Sequence, residues 1–236
     1  MPAEPLSTSA EDYLKAVYLL TRDGPYAATT DIAARLSVSA PSVTGMVRRL
    51  AEQGLLDHVP YHGVSLTAAG KRAALAVVRR HRIVETYLVE RLGLGWDEVH
   101  AEAERLEHAV SDLVLERMAQ ALGHPEYDPH GDPIPDARGV LPVRKVCPLT
   151  AFADGTRVTL RQVVAPEAER LRQLAAIGLV PGVHLTVLET QAPLGLMRLE
   201  TAEGERLVGT TLATALLCDA TAPAAPAATV PARSRR

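Results

Sequence analysis

The 236-residue sequence predicts a mainly α-helical chain with a small β domain at its C-terminal end. Three observations carry this. Apolar residues recur at intervals of three and four through the first half (Tyr13, Ala16, Val17 and Leu20; Ile32, Ala33 and Leu36; Val43, Val47 and Leu50), the spacing of helices with one buried face. Aromatic residues make up only 3% of the chain, so its core has to be built from Leu, Val, Ile and Ala, a composition that suits helices. Beyond six prolines between His124 and Pro148 the pattern changes to short β-like runs, 156–164, 184–189 and 195–201, interrupted by one helix, 167–177. The divisions that follow are 1–72, 73–140 with a proline-rich linker, 141–219 as a small barrel, and an Ala/Pro tail, 220–236, expected to be disordered.

The first helix opens with Glu11, Asp12 and Lys15. Thr29, Thr30 and Asp31 form an N-cap cluster for a second helix ending at Leu36, and Ser37-Val38-Ser39 make a turn. A third helix, 41–53, tolerates Pro41 in its first turn, points Val43, Val47 and Leu50 inward and stops at Gly54. Runs 55–60 and 64–67 around Tyr61-His62-Gly63 read as a hairpin. Helix, turn, helix and hairpin make a winged helix-turn-helix, whose second helix enters the major groove of DNA. Ser39, Pro41, Ser42 and Thr44 are then candidates for base-edge contact, and Arg48 and Arg49 for phosphate. The same module can instead serve protein contacts. The net charge of −3, and seven basic against seven acidic residues over 1–72, give no electrostatic argument for DNA.

The acid is concentrated in 73–140, with 13 Asp and Glu against seven Lys and Arg, and five of the eight histidines lie there too. Helix 68–92 carries His81 and Glu85 four apart on one face. The run WDEVHAEAERLEHAVSDLVL, 96–115, reads as a single helix with Val99, Ala103, Leu106, Val110 and Leu113 in an apolar stripe and His100, Glu104, Glu107 and His108 beside it. Imidazole and carboxylate together are donors for a transition metal. A solvated salt-bridge face is the alternative. His124, His130 and His184 read as turn or surface residues, and Cys147 and Cys218 as structural or free thiols.

Two cysteines make no disulfide framework, residues 1–10 lack the features of a signal peptide, and no apolar run approaches the roughly 20 residues that cross a bilayer. A cytoplasmic chain with no membrane association is expected. A metallohydrolase is the competing class, since a carboxylate–His site can activate water. Neither HExxH nor GxSxG nor a phosphate-binding glycine loop accompanies the site.

These residues resemble the diphtheria toxin repressor family of metal-dependent transcriptional regulators in its three-domain form. The resemblance is carried by Glu11-Asp12-Tyr13-Leu14, SVSAPSVTGMVRRLAEQGLL, Arg80-His81-Arg82-x-x-Glu85, WDEVHAEAERLEHAVSD, HGDPIP at 130–135, and LAAIGLVPG at 174–182. It implies a winged helix-turn-helix, a helical dimerisation and metal domain, and an SH3-like barrel. It further implies a homodimer on palindromic double-stranded operator DNA, repressing metal-uptake genes, with Leu88, Leu92, Val110, Leu113 and Leu122 as candidates for the dimer contact. The family's activating metal maps to Asp12, Glu104, Glu107 and His108, and its ancillary metal to His81, Glu85, His100 and, from the barrel, Glu167. Arg170 stands where members often carry an amide, with Glu169 as a substitute acid, and Lys15 where some two-domain manganese members carry an acid. Iron-responsive members usually hold Met and Cys at the positions of Asp12 and Glu104. Three carboxylates and one imidazole are harder donors, which points to Mn²⁺, with Fe²⁺ as the alternative and other divalent transition metals able to substitute in vitro.

Overall fold

In the computed structural model the described residues are 6–22, 24–59, 61–164 and 168–220. They form two units, divided between Arg144 and Lys145.

The first unit opens with α1 (Thr8–Leu20), capped by Ser7, whose hydroxyl accepts from the Ala10 amide at 3.3 Å. α2 (Thr29–Leu36) starts from Ala28, which makes no side-chain cap. The expected Thr/Asp cap is not formed, and the Thr30 hydroxyl donates to Asp31 instead. Ser37, in the left-handed region at φ 54°, turns the chain into α3 (Ala40–Glu52). Ser39 caps α3, and Pro41 sits in its first turn, where no amide is needed. β1 (Leu56–Val59) and β2 (Gly63–Leu66) pair antiparallel, Leu56 opposite Leu66. Gly63 has φ 125°, and a Cβ there would stand 2.4 Å from the Ala27 carbonyl oxygen, so the hairpin closes only with glycine. Leu14, Ile32, Val43, Val47, Leu50, Leu56 and Val64 form the core of this winged module. Each large aliphatic side chain buried there contributes about 1.5–3 kcal/mol.

α4 (Ala68–Leu92) joins this core to a second one. Its first turn contains Gly70, where a Cβ would fall 1.9 Å from the Leu55 carbonyl oxygen. Ala74 closes the winged core; Ile83, Val84 and Leu88 enter the second core with Val99 and Ala103 of α5 (Val99–Leu106), Leu115 and Ala119 of α6 (Asp112–Ala121), and Ile134. The single helix expected over 96–115 is thus two helices. Ser111 breaks it, because its hydroxyl caps α6 by accepting from the Val114 amide at 3.3 Å. The apolar stripe breaks with it: Val99 and Ala103 are buried, whereas Leu113 is 70% exposed. Leu88 is a core residue, while Leu92 and Leu113 are exposed, as are Leu106 and Val114.

The proline-rich stretch is no free linker. Asp128 accepts from the amides of His130 and Asp132, both at 2.9 Å, which folds the chain into a tight loop. Arg79 and Arg82 of α4 donate to the carbonyls of Pro135 and Pro133, at 2.9 and 2.5 Å, and Ile134 is buried.

The second unit is a six-stranded antiparallel sheet with two short helices. In chain order it comprises β3 (Cys147–Pro148), β4 (Arg157–Val163), α7 (Ala168–Ala176), β5 (His184–Gln191), β6 (Leu196–Thr201), β7 (Gly204–Gly209), α8 (Thr210–Thr214) and β8 (Leu216–Ala220). The spatial order is β3-β8-β4-β5-β6-β7. Leu160, Leu171, Leu174, Val187, Met197 and Leu199 are fully buried. The expected β runs and helix correspond to β4, β5, β6 and α7; β3, β7 and β8 are additional. β8 takes in Ala220, and the rest of the expected tail, 221–236, lies outside the described residues, as does Glu167.

Candidate metal centre and nucleic-acid interface

Among the described residues of the first unit, three groups of His and carboxylate side chains bring their donor atoms within 4.8 Å of one another. The first joins Asp12 of α1 to Glu107 and His108, which follow α5. His108 Nε2 lies 2.8 Å from Asp12 Oδ1 and 3.3 Å from Glu107 Oε1. On its other side, His108 Nδ1 donates to Glu11 Oε2 at 2.7 Å, and Arg80 of α4 holds the second Glu11 oxygen at 3.1 Å. A proton fixed on Nδ1 leaves Nε2 as the donor facing the two carboxylates, the arrangement that orients metal-ligating histidines. Burial opposes a charge on His108, but Glu11, Glu107 and Asp12 outweigh it and raise its pKa. Burial raises that of Asp12, partly offset by His108.

The second group is His81, His100 and Glu104. His81 points from α4 between two carboxylates, with Nε2 2.9 Å from Glu85 Oε1 and Nδ1 2.5 Å from Glu107 Oε2. Burial works against its imidazolium, yet Glu85 and Glu107 overrule it and hold the pKa up to about 9. His100 Nδ1 lies 3.0 Å from Glu85 Oε1. Burial also opposes charge on Glu85 and Glu104, but His81 and His100 depress the first and Lys15 the second. A proton on His81 and the Lys15 ammonium, 2.7 Å from Glu104 and 2.8 Å from Glu107, thus balance the acid of this group.

The third group, Glu85, Asp128 and His130, is buried throughout. His130 Nε2 donates to the Trp96 carbonyl at 2.8 Å, and its ring stacks on the Trp96 indole at 5.7 Å. Its Nδ1 faces Glu85 Oε2 at 3.8 Å. Asp128 has its pKa raised well above the usual carboxylate range by burial and by Asp132 and Glu85, against the pull of Arg82. His130 does lie in a turn, one of the two placements expected for it, but the Asp128 loop turns its ring inward rather than to the surface. All three groups offer oxygen and nitrogen donors from separate chain segments, which fits a divalent transition metal.

On the winged module, Pro41, Ser42, Thr44 and Arg49 are exposed along one face of α3. Ser39 and Ser42 hydroxyls bond each other at 2.9 Å, and Thr44 donates to the Ala40 carbonyl at 3.1 Å. Arg48 pairs with Glu52 at 3.0 Å, an exposed contact weak enough to exchange for a phosphate. Tyr61 stands fully exposed at the hairpin tip, with φ 65°.

Three family models match the chain: iron dependent repressor, N-terminal DNA binding domain, over 5–64; iron dependent repressor, metal binding and dimerisation domain, over 67–136; and FeoA domain, over 147–219. The iron-dependent repressor IdeR of Mycobacterium leprae is 35% identical over 197 residues, spanning 77% of this chain and 84% of its own. The chain belongs to the diphtheria toxin repressor family. The diphtheria toxin repressor of Corynebacterium diphtheriae is 34% identical over 172 residues, 73% of this chain and 74% of its own. A solved structure described as a manganese-dependent transcriptional repressor complex with manganese superposes with TM-score 0.83 at 41% identity, covering 90% of this chain and all of that one.

As a member of this family the chain is a metal-dependent transcriptional repressor, with helical DNA-binding and dimerisation domains followed by a FeoA-type β domain. Members of the family are DNA-binding repressors rather than enzymes. No helix among the described residues is long and apolar enough to cross a membrane. Of the residues that the resemblance assigns to the activating metal, Asp12, Glu107 and His108 come together, while Glu104 turns toward His81 and His100. Glu169, the substitute acid on the β domain, is exposed and paired with Arg172 and Gln173. Sequence reasoning gave no part in the site to Glu11, Arg80, Asp128 or His130, although Glu11 and Arg80 stand in motifs that carry the family resemblance. HGDPIP marked the His130 loop, but nothing in it signalled that His130 faces inward.

Proposed function

We propose that this repressor is activated by Mn²⁺ held at Asp12, Glu107 and His108, with Glu104 joining them, and binds a palindromic operator as a dimer. The carrying observation is that Asp12 belongs to the helix whose neighbours Leu14 and Val17 fill the winged core, whereas Glu107 and His108 follow α5, which is built on the second core. An ion shared by these residues ties the module bearing α3 to the helices that dimerise. In a two-fold dimer that link sets the separation of the two recognition helices, which has to match half-sites one helical turn or a multiple apart. It also neutralises acid that would repel phosphate.

Hard oxygen donors with a single imidazole, and no sulfur, support Mn²⁺ over softer ions. Fe²⁺ is the second reading, favoured by the name of the mycobacterial relative. His81, Glu85 and His100 would form the ancillary site, and Asp128 and His130 extend that site around Glu85. Ser39, Pro41, Ser42 and Thr44 would approach base edges, with Arg48 and Arg49 on the phosphates. Selection of duplexes from a randomised library in Mn²⁺, followed by titration of binding with Mn²⁺ and with anaerobic Fe²⁺, tests this. Activation by Mn²⁺ at lower free-ion concentration than the cell maintains for iron supports the reading; activation by Fe²⁺ alone replaces it.

A further inference from the structure

Lys15 is a buried cation that the metal reading leaves over. Its side chain is 8% exposed, and its ammonium donates to Glu104 Oε1 at 2.7 Å and to both oxygens of Glu107, at 2.9 and 2.8 Å. Three residues from Asp12 on α1, it occupies the space between the first two donor groups. We propose that Lys15 is a tethered competitor for the activating ion, holding Glu104 away from Asp12 and His108 until an ion takes that carboxylate from it. This rests on the metal reading above.

Three observations carry it. Glu104 is grouped with His81 and His100 while bonded to Lys15, so the ammonium and the ion compete for the same acid. Glu107 is fully buried, whereas the Glu104 side chain is 42% exposed, which makes Glu104 the arm with freedom to swing. Asp12, Lys15, Arg35, Leu36, His100 and Glu104 also line a cavity of about 460 Å³, space into which the Lys15 stem can withdraw. An ion bound through Glu107 stands close to the ammonium, and like charges at that separation repel strongly in a partly buried site. Lys15 therefore raises the ion concentration at which the repressor responds.

The test measures Mn²⁺ affinity by electron paramagnetic resonance of the free ion, for the full-length wild type, Lys15→Met and Lys15→Arg. Methionine keeps the length without the charge, and at least tenfold tighter binding is expected; arginine keeps the charge and should stay near wild type. In parallel, wild-type protein is treated with an amine-acetylating reagent and Lys15 is followed by mass spectrometry. Protection without metal and modification at saturating Mn²⁺ are expected, a readout that does not depend on any variant folding. Equal or weaker Mn²⁺ binding by a folded Lys15→Met, or Lys15 protected equally with and without Mn²⁺, overturns the proposal while leaving the metal site standing. Failure of the wild type to bind Mn²⁺ overturns the metal reading itself, and this inference with it.

Discussion

Glu11 binds no ion in this account, yet its removal should weaken metal binding. It accepts from His108 Nδ1 at 2.7 Å while Arg80 holds its other oxygen at 3.1 Å, and Glu11 and His108 side chains are only 17% and 14% exposed. A partly buried, charge-assisted hydrogen bond of this kind is worth about 1.5–3 kcal/mol. Outer partners of ligating histidines typically govern about 10- to 100-fold in affinity, or roughly 1.4–2.7 kcal/mol. The two estimates agree. Glu11→Gln, which can still accept from Nδ1 but lacks the charge, should lose about tenfold in Mn²⁺ affinity. Glu11→Ala, which frees the ring, should approach a loss of about 100-fold. Isothermal titration of Mn²⁺ into wild type and both variants reads this directly, with thermal melts of the metal-free proteins as the control for folding. Wild-type affinity in both folded variants would refute the role of Glu11 in setting the His108 tautomer.

Further outcomes follow from the same geometry. His81 is held up to about 9, above the ordinary 6.5, so it is protonated at neutral pH in the metal-free chain. A proton has to leave if an ion binds His81. Calorimetry at pH 7.5 in two buffers of different ionisation enthalpy should show proton release, and identical heats in both would contradict it. With a folded-state pKa above the unfolded one, His81 contributes stability that is complete below roughly pH 6.5 and is lost as pH rises through about 9, visible as a falling melting temperature of the metal-free protein. Leu113→Asp places a charge on an exposed apolar position of α6 and should weaken the dimer, read by analytical ultracentrifugation, with little change in the stability of the monomer fold. Arg49→Ala should weaken DNA binding similarly for all sequences and flatten its salt dependence by about one unit of slope, the signature of a phosphate contact.

The winged module was the most legible part of the sequence, because its signals are local. Pro41 marks the first turn of α3, the Val43, Val47 and Leu50 spacing names its buried face, and Gly54, at φ 70°, follows its last turn. The α5–α6 break was legible in principle: Ser111 followed by Asp112 is an N-cap signature, overrun by a helical period that continues on either side. The ligand types were readable from their spacing on α4 and α5, but not their grouping. Lys15 and Glu107 are 92 residues apart, so only the docking of α1 against the segment after α5 sets which carboxylate the ammonium holds. His130 illustrates the same limit, since its burial depends on a loop closed by Asp128 and anchored by Arg82 of α4.

Whether an ion shared by Asp12, Glu107 and His108 switches DNA binding can be read by fluorescence anisotropy on one selected duplex. Wild type and Asp12→Asn are titrated with Mn²⁺ and then with chelator, with the dimer state of each checked in parallel. Wild type should bind with Mn²⁺ and release on chelation, while Asp12→Asn stays dimeric and does not respond to Mn²⁺. Chelator-insensitive binding by wild type, or a full Mn²⁺ response from Asp12→Asn, would contradict it.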